Sequence, residues 1–286
     1  MNEVRIATRG SALAVAQARR VGDLLLANDP SISVRLVEVS TAGDRDQVAP
    51  VAELTEIGAF VRAVQQAVLD DAADIAVHSL KDLPVEGPDE LVLASIPERA
   101  SALDVLVGST LAELPPGGLV GTGSPRRAAQ LVDLRPDLRT IELRGNVDTR
   151  LDKIASGEVD GAVLAEAGLA RLGRAGLIAQ RLDPDEMVPA PGQGALAVEA
   201  RAGSRFAGLA ARIDDPSIRV LVTAERLLVA ETGAGCRSAL GALATWHGDQ
   251  IRLRAFVADG EDRRRTVNLG STPESVVASA RMELRL

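Results

Sequence analysis

Short apolar runs that alternate with helical segments are the feature that most constrains the fold of this chain. Residues 4–7 form such a run, a turn containing Gly and Ser follows, and residues 12–27 carry apolar side chains at helical spacing. The same order recurs at residues 74–78 after a helix and again at residues 119–134. Alternation of this kind predicts α/β domains with largely parallel sheets.

The pattern changes toward the end of the chain. A helix is predicted at residues 217–231, residues 251–257 alternate in polarity like a strand with one buried face, and residues 265–269 fit its antiparallel partner. Pro273 stands where a last helix begins, a position that proline favours. The predicted fold class is therefore two α/β domains followed by a small α+β domain.

Composition excludes several kinds of protein. The 286-residue chain has one cysteine, Cys236, and two histidines, so neither an intrachain disulfide nor a zinc site of the usual local spacing is expected. Four aromatic residues and a net charge of −8 argue against nucleic-acid binding. No apolar run reaches the roughly 18 residues of a membrane span. Because the start shows no signal-peptide pattern, we expect a soluble, cytoplasmic protein without nucleic-acid, membrane or metal partners.

Three predicted strand-to-helix turns share one chemistry, since each joins a glycine to hydroxyl or amide donors and at least one arginine. Helix N-termini attract anions, so these turns predict a polyanionic ligand. Two arginines at one such terminus would be unfavourable unless an anion is bound. Phosphate and multiple carboxylates fit equally well, and ordinary solvated turns remain an alternative. The turns are residues 8–11, 121–127 and 143–150.

Two further positions could carry chemistry. Lys81 and Asp82 follow a predicted buried strand, where an aspartate can move protons or stabilise a cation, although a solvated turn is also consistent with the sequence. His78 is interpreted as a hydrogen-bonded structural residue. Cys236 follows Gly235 and is either a small buried side chain or an accessible thiolate that forms a covalent bond. No histidine is evidently paired with it, which disfavours a Cys–His hydrolase.

These motifs together resemble the porphobilinogen deaminase (hydroxymethylbilane synthase) family along nearly the whole chain. The resemblance implies two α/β domains with mixed sheets, similar to periplasmic binding proteins, and a small α+β C-terminal domain with a three-stranded antiparallel sheet. The implied boundaries are residues 1–96 with 195–214, residues 97–194, and residues 215–286. The matching segments are residues 5–11, 74–84, 121–127, 143–150, 164–173, 189–195 and 235–236.

The resemblance also implies the reaction and its cofactor. Family members join four porphobilinogen molecules head to tail into 1-hydroxymethylbilane, releasing ammonia at each step of tetrapyrrole (haem and porphyrin) biosynthesis. They are transferases whose cofactor is a dipyrromethane made from the substrate, and the thioether that attaches it would form on Cys236. The implied partners are porphobilinogen and the growing oligopyrrole, and the protein is expected to be a monomer.

Site residues carried over from the family fall into three groups. Asp82 is the expected catalytic residue. The expected cofactor-binding residues are Cys236, Lys81, Ser79, Thr122, Ser124, Arg126, Arg127, Arg144, Gly145 and Asn146. The expected substrate-binding residues are Arg9, Ser11, Arg150, Arg171, Gln193 and Phe60. The arginines suit this ligand because porphobilinogen carries two carboxylates, which guanidinium groups bind bidentately.

The sequence departs from the family pattern in a few places. Ala42, Glu53 and Ile57 occupy positions that are often basic in the family's loop over the active site, and Gly123 replaces a frequent serine. The substrate contacts that basic residues at these three positions would make are therefore not carried over. A rival hypothesis is a two-lobed binding protein for a small anion, which would require neither Cys236 nor a catalytic aspartate.

Overall fold

The computed structural model describes residues 2–39, 57–232 and 239–286. It divides into two compact units, Met1–Arg99 with Ala195–Arg219 and Ala100–Gly194 with Val220–Leu286. The second unit holds the predicted second and third domains together, so the three-domain boundaries stay a prediction.

Strands and helices are numbered here in chain order. The strands are β1 (Asn2–Arg9), β2 (Ile32–Val39), β3 (Ile75–Ser79), β4 (Leu91–Ser95), β5 (Asp104–Val107), β6 (Leu119–Gly121), β7 (Arg139–Ile141), β8 (Gly161–Ala165), β9 (Ile178–Arg181), β10 (Leu196–Arg201), β11 (Ala239–His247), β12 (Gln250–Asp259) and β13 (Asp262–Gly270). The helices are α1 (Ala12–Asn28), α2 (Ile57–Leu69), α3 (Pro125–Leu134), α4 (Val147–Ala155), α5 (Glu166–Arg171), α6 (Arg205–Ala211), α7 (Pro216–Thr232) and α8 (Pro273–Leu284).

The first unit is built on a five-stranded mixed sheet in the order β2-β1-β3-β10-β4. Strand β10 runs antiparallel to both of its neighbours, whereas β1, β2 and β3 are parallel. Alternate residues of each strand face opposite sides of the sheet. Ile6 therefore packs with Leu25 of α1 on one face, and Ala7 packs with Val64 of α2 on the other.

The α/β part of the second unit repeats this plan in the order β7-β6-β8-β5-β9. Strand β5 is antiparallel to both neighbours, and β6, β7 and β8 are parallel. Leu106 and Leu131 of α3 share the core on one face, while Val105 and Leu169 of α5 share the core on the other. The antiparallel strand of this sheet, β5, comes first in chain order among its strands. The antiparallel strand of the first sheet, β10, comes last among its strands.

Strands β11, β12 and β13 form a three-stranded antiparallel sheet. Its core is shared with α7 and α8, for example by Leu253, Leu228 and Val276. Helix α8 begins at the predicted Pro273, where Thr272 Oγ1 accepts a hydrogen bond from the backbone N–H of Ser275 at 3.2 Å. The predicted fold class is confirmed: two α/β domains with mixed sheets and a small domain with a three-stranded antiparallel sheet.

The sequence analysis predicts no residue ranges for strands β4, β5, β9, β10 and β11, although a third strand was expected in the C-terminal sheet that β11 completes. The predicted strand at residues 140–143 is shorter in the structure, since β7 ends at Ile141. Within the described residues, no helix is both long and apolar enough to cross a membrane.

Candidate functional site

The carboxyl ends of β1 and β3 bring one group of predicted residues to a common edge of the first sheet. Arg9 ends β1, and Ser79 ends β3. Because these strands are neighbours and parallel, their ends meet at the same edge. Ser11 is the N-cap of α1, and its Oγ accepts from the N–H of Ala14 at 3.4 Å.

Asp82 lies on an anchored turn directly after β3. The turn is a short 3₁₀ helix, Leu80–Asp82, whose Leu80 side chain is buried and whose Leu80 N–H donates to the carbonyl of Ala195 at 3.0 Å. The Oγ of Ser79 accepts from Gln17 Nε2 at 2.8 Å. Asp82 itself is exposed. The fold therefore fixes the backbone of this turn while leaving the Asp82 carboxylate accessible to a substrate.

A buried polar cluster lies between the first sheet and α2. His78, Glu199 and Gln65 are all buried. Gln65 Nε2 donates to Glu199 Oε1 at 3.1 Å and to Oε2 at 3.0 Å. His78 Nε2 lies 3.0 Å from Glu199 Oε2, a contact with ion-pair distance but without hydrogen-bond alignment. This placement supports the structural interpretation of His78.

In the second unit, the turn after β6 carries the predicted hydroxyl groups. Thr122 is buried, and its Oγ1 accepts from the N–H of Ser124 at 3.2 Å. Ser124 is the N-cap of α3, and its Oγ accepts from the N–H of Arg127 at 3.4 Å. The first turn of α3, which Ser124 caps, therefore opens at the carboxyl end of a parallel strand.

The turn after β7 is shaped by a glycine and an asparagine. Gly145 has a φ of +103°, and a Cβ there would lie 2.7 Å from Thr149 Cγ2, so a larger residue is excluded. Asn146 is the N-cap of α4, and its Oδ1 accepts from the N–H of Thr149 at 2.9 Å. Arg150 Nε donates to the Gly145 carbonyl at 2.9 Å. Strands β6 and β7 are parallel neighbours, so both turns lie at one edge.

Arg126 and Arg127 are buried around a single carboxylate, that of Asp104 at the start of β5. Arg126 Nη1 lies 2.7 Å from Asp104 Oδ2, and Arg127 Nη2 lies 2.7 Å from Asp104 Oδ1. Arg127 also donates from Nε to Asp104 at 3.0 Å and from Nη1 to the Val163 carbonyl at 2.9 Å. The chain itself thus supplies an anion to the helix terminus at which two arginines appeared unfavourable.

The charges of this cluster explain its protonation. Burial by itself would raise the pKa of Asp104, but the adjacent charges of Arg126 and Arg127, with their hydrogen bonds, hold it well below its usual range. Burial lowers the pKa of Arg126, and the attraction of Asp104 opposes that effect. Two guanidinium groups and one carboxylate leave a net charge of +1 in the cluster. A buried excess of positive charge favours an anionic ligand at this edge.

Two other predicted residues extend the cluster. Gln193 is 1% exposed, and its Nε2 donates to Asp104 Oδ1 at 2.9 Å and to the Ala102 carbonyl at 2.7 Å. Arg171, at the end of α5, donates from Nη2 to the Gly194 carbonyl at 2.8 Å. The contacts of Gln193 favour a role in positioning other groups, whereas substrate binding by it stays a prediction.

Asp104 is the residue of this cluster that the sequence did not reveal as part of the site. Asp104 stands immediately before an apolar run, Val105 to Val107. A single charged residue at the start of a buried strand was the only sequence signal that could have indicated its role. That signal cannot identify Arg126 and Arg127 as its partners, because they are 22 and 23 residues away in the chain.

Some predicted residues lie outside the described part of the structure. Cys236 is among them, as are Ala42 and Glu53. For Phe60 and Ile57, the structure gives only their backbone place in α2. Among the residues that are described, no group of three His, Cys, Asp or Glu side chains could hold a metal ion.

The fold and these edges define a class of protein, an α/β protein with arginine, hydroxyl and backbone donors for anions at the carboxyl ends of its strands. Comparison with known proteins identifies the family. The family described as "Porphobilinogen deaminase, dipyromethane cofactor binding domain" matches residues 4–207. The chain belongs to the porphobilinogen deaminase family.

Curated relatives agree with this assignment. The protein named porphobilinogen deaminase of Acidothermus cellulolyticus is 47% identical over 267 residues, which cover 91% of this chain and 80% of that one. The protein of the same name from Mycolicibacterium paratuberculosis is 47% identical over 283 residues, covering 94% and 89%. Among solved structures, the BvgS periplasmic VFT2 domain of Bordetella pertussis is 18% identical with a TM-score of 0.44, covering 74% of this chain and 86% of that one.

Proposed function

We propose that this chain catalyses the stepwise condensation of four porphobilinogen molecules, with release of one ammonia for each unit joined, and that one water cleaves the completed tetrapyrrole from the cofactor as 1-hydroxymethylbilane. The observation that carries the proposal is the family match over residues 4–207, with Asp82 accessible at the end of β3. The reaction makes the protein a transferase of tetrapyrrole biosynthesis. We further infer a monomer that acts in the cytoplasm without a metal.

Carboxylate recognition is assigned to the arginine-bearing strand ends. Porphobilinogen carries an acetate and a propionate, so a growing oligopyrrole accumulates negative charge. A chain of net charge −8 can hold such a product only where positive charge is concentrated. In the first unit, Arg9, Ser79 and Lys81 supply donors. In the second, Arg144 is partly exposed beside Glu142, at 3.2 Å, and can exchange that surface contact for a ligand carboxylate.

The buried arginine cluster fits a dipyrromethane, which carries several carboxylates. Arg126 makes its hydrogen bonds within the described residues through Nη1, so its Nε and Nη2 remain for a ligand oxygen. Thr122 and Ser124 stand beside it at the same helix terminus. We propose that a thioether on Cys236 holds the group. When bound, the dipyrromethane supplies the pyrrole end that is extended.

We propose that Asp82 donates one proton and accepts another in each condensation step. Breaking the substrate's C–N bond releases ammonia when the leaving amine takes a proton, and the carboxylate stabilises the cation that remains. Forming the new C–C bond then displaces a proton from a pyrrole carbon, which Asp82 can accept. The proton given and the proton received balance, so Asp82 ends each step unchanged.

Intact mass spectrometry and ammonia release test this proposal together. The wild-type chain, incubated with porphobilinogen, is expected to carry two additional linked pyrrole units and to release ammonia continuously. The Cys236→Ala variant should remain at its bare mass and release none. A wild-type protein that binds porphobilinogen but stays bare, with no ammonia released, would establish the two-lobed binding protein instead.

A further inference from the structure

A buried carboxylate that the proposed mechanism does not use, that of Glu199 in β10, joins β3 to α2. Its Oε2 lies 3.0 Å from His78 Nε2 on β3, and Gln65 Nε2 of α2 donates to its two oxygens at 3.1 and 3.0 Å. The three residues are at most 7% exposed. A carboxylate buried in this way needs donors around it, because an unpaired buried charge is costly. Glu199 therefore holds His78 and Gln65 to one place.

Strand β10 also holds the part of the chain that leads into the Asp82 turn. It pairs with β3 in antiparallel register as far as Ser79. The carbonyl of Ala195, directly before β10, accepts from the N–H of Leu80 at 3.0 Å. His78 lies four residues before Asp82 in the chain. A shift of β3 against β10 at His78 would therefore displace the turn.

The chain that follows the Asp82 turn returns to the same cluster. Gly87 is exposed, and a Cβ built on it would lie 3.7 Å from Gln65 Nε2 and 4.0 Å from Glu199 Oε1. These are ordinary contact distances, so the backbone at Gly87 lies against the cluster. The cluster thus meets the chain before Asp82, at His78, and again after it, at Gly87.

Helix α2, which carries Gln65, is itself fixed at its C-terminal end. Arg201 Nη2 donates to the carbonyl of Val68 at 3.2 Å and to that of Leu69 at 2.7 Å. Arg201 is two residues beyond Glu199, so both side chains leave the same face of β10. The helix is therefore tied to β10 at two places, and Glu199 holds β3 against an anchored element.

The consequence concerns the place of the Asp82 carboxylate. Asp82 is exposed, so its position depends on the backbone that carries it. A group that gives and takes protons at defined atoms has to be held close to them. We infer that Glu199 is a positioning residue for Asp82, and that it acts through His78 before the turn and through Gln65 and Gly87 after it. This inference rests on the proposed function.

Glu199→Gln tests the inference, and Asp74→Asn is the matched control. Asp74 is a second buried carboxylate of the same unit, pairs with Arg5 at 2.7 Å, and stands directly before β3, at the end of that strand opposite to Asp82. Both substitutions replace a buried carboxylate by an amide, so both should lower stability. Each protein is first loaded by incubation with porphobilinogen. Ammonia release is then measured per molecule that carries the two-pyrrole mass, at a temperature at which circular dichroism shows every variant folded.

We expect E199Q to lower kcat at least about tenfold with an unchanged KM, because a displaced reacting group slows the chemical step without weakening carboxylate binding elsewhere. D74N should keep the kcat and KM of the wild type. If Glu199 has a merely structural role, loss of a buried carboxylate at either end of β3 has the same effect. Equal kcat values for folded E199Q and D74N therefore overturn the inference.

His78 provides a second test for the case in which E199Q does not fold. His78→Gln keeps an N–H donor that can reach Glu199, whereas His78→Leu fills the space without a donor. A kcat for H78L at least about tenfold below that of H78Q supports the inference, and equal kcat values for the two variants overturn it. A wild type that releases no ammonia overturns the proposed function, and the inference with it.

Discussion

The two α/β sheets share one topology but differ in the charge of the residue that begins their antiparallel strand. In the second unit, the antiparallel strand β5 begins with Asp104, which pairs in register with Ala165 at the end of β8. In the first unit, the antiparallel strand β10 begins with Leu196, which pairs with Ser79 at the end of β3. Both residues are fully buried, yet one is a carboxylate and the other is apolar.

The helices opposite these positions explain the difference. Helix α3 opens with Arg126 and Arg127, which need a counter-charge when buried, whereas α1 opens with Ala12 and Leu13, which need none. Each topological position therefore carries the residue that its neighbouring helix requires. The comparison predicts different roles for the two edges: catalysis at the accessible Asp82 in the first unit, and binding of anions at the buried arginine cluster in the second.

The largest expected effect is on activity at the first edge. Asp82→Asn removes the carboxyl group that we propose transfers protons and should lower kcat by about 10²–10⁴-fold. Because Asp82 is exposed, the free energy of unfolding should stay unchanged. Steady-state kinetics and urea denaturation measure the two quantities. Asp89→Asn, at another exposed carboxylate of the same unit, is the control. An Asp82→Asn protein with normal kcat would contradict a catalytic role for the edge of the first sheet.

The second prediction concerns stability at the other edge. Asp104→Asn leaves two buried guanidinium groups without their counter-charge and should lower the free energy of unfolding by about 3–5 kcal/mol. Urea denaturation checks this value. Asp137→Asn is the matched control, because Asp137 forms its 2.8 Å pair with Arg135 at the surface and should matter much less. Equal losses from the two substitutions would contradict a special role for burial.

The third prediction follows from the lowered pKa of Asp104. A carboxyl whose pKa is lower in the folded than in the unfolded state stabilises the fold above the unfolded value. That contribution is lost as the pH falls toward the folded pKa. Below about pH 4, each pH unit should remove up to about 1.4 kcal/mol through this group. Urea denaturation at several pH values should therefore show the gap between wild type and Asp104→Asn narrowing below pH 4; a constant gap would contradict the assignment.

The smallest expected effect is a loss of stability that should be equal in the two sheets. Ser11 and Ser124 cap α1 and α3 at corresponding strand ends, each accepting an N–H at 3.4 Å. Replacing either serine by alanine should lower the free energy of unfolding by about 1 kcal/mol. Urea denaturation compares the losses, and KM for porphobilinogen shows whether either hydroxyl also contacts the ligand. A large difference in stability between the two variants would contradict the expectation that the two serines cap their helices equally.

Much of the fold was predictable because it depends on local patterns. Helix α1 begins at Ala12 after the Ser11 cap, and α8 begins at Pro273, as their sequences indicate. The strands that the sequence did not reveal include β5 and β10. They are short apolar runs without alternation, and periodicity alone does not distinguish them from other buried segments.

The candidate site also has a part that the sequence predicts and a part that it does not. The residues themselves were predicted from the sequence, because the arginine, serine and aspartate motifs at strand ends occur in the order and spacing of the porphobilinogen deaminase family, and their roles stay predictions. Their electrostatic surroundings were not predictable, because Asp104 meets Arg126 only when β5 enters the sheet beside β8. The same holds for Glu199, whose partners His78 and Gln65 come from separate segments.

The sequence by itself determined the family, the fold class and the chemical types at the strand ends. These depend on residue identity and on spacing along the chain, and both are present in the unfolded polypeptide. The tertiary structure alone decided which charges are buried, which are balanced and which carboxylate stays accessible. Burial and pairing arise from contacts between distant segments, and the free energy of a charge depends on the partners and solvent that those contacts give it.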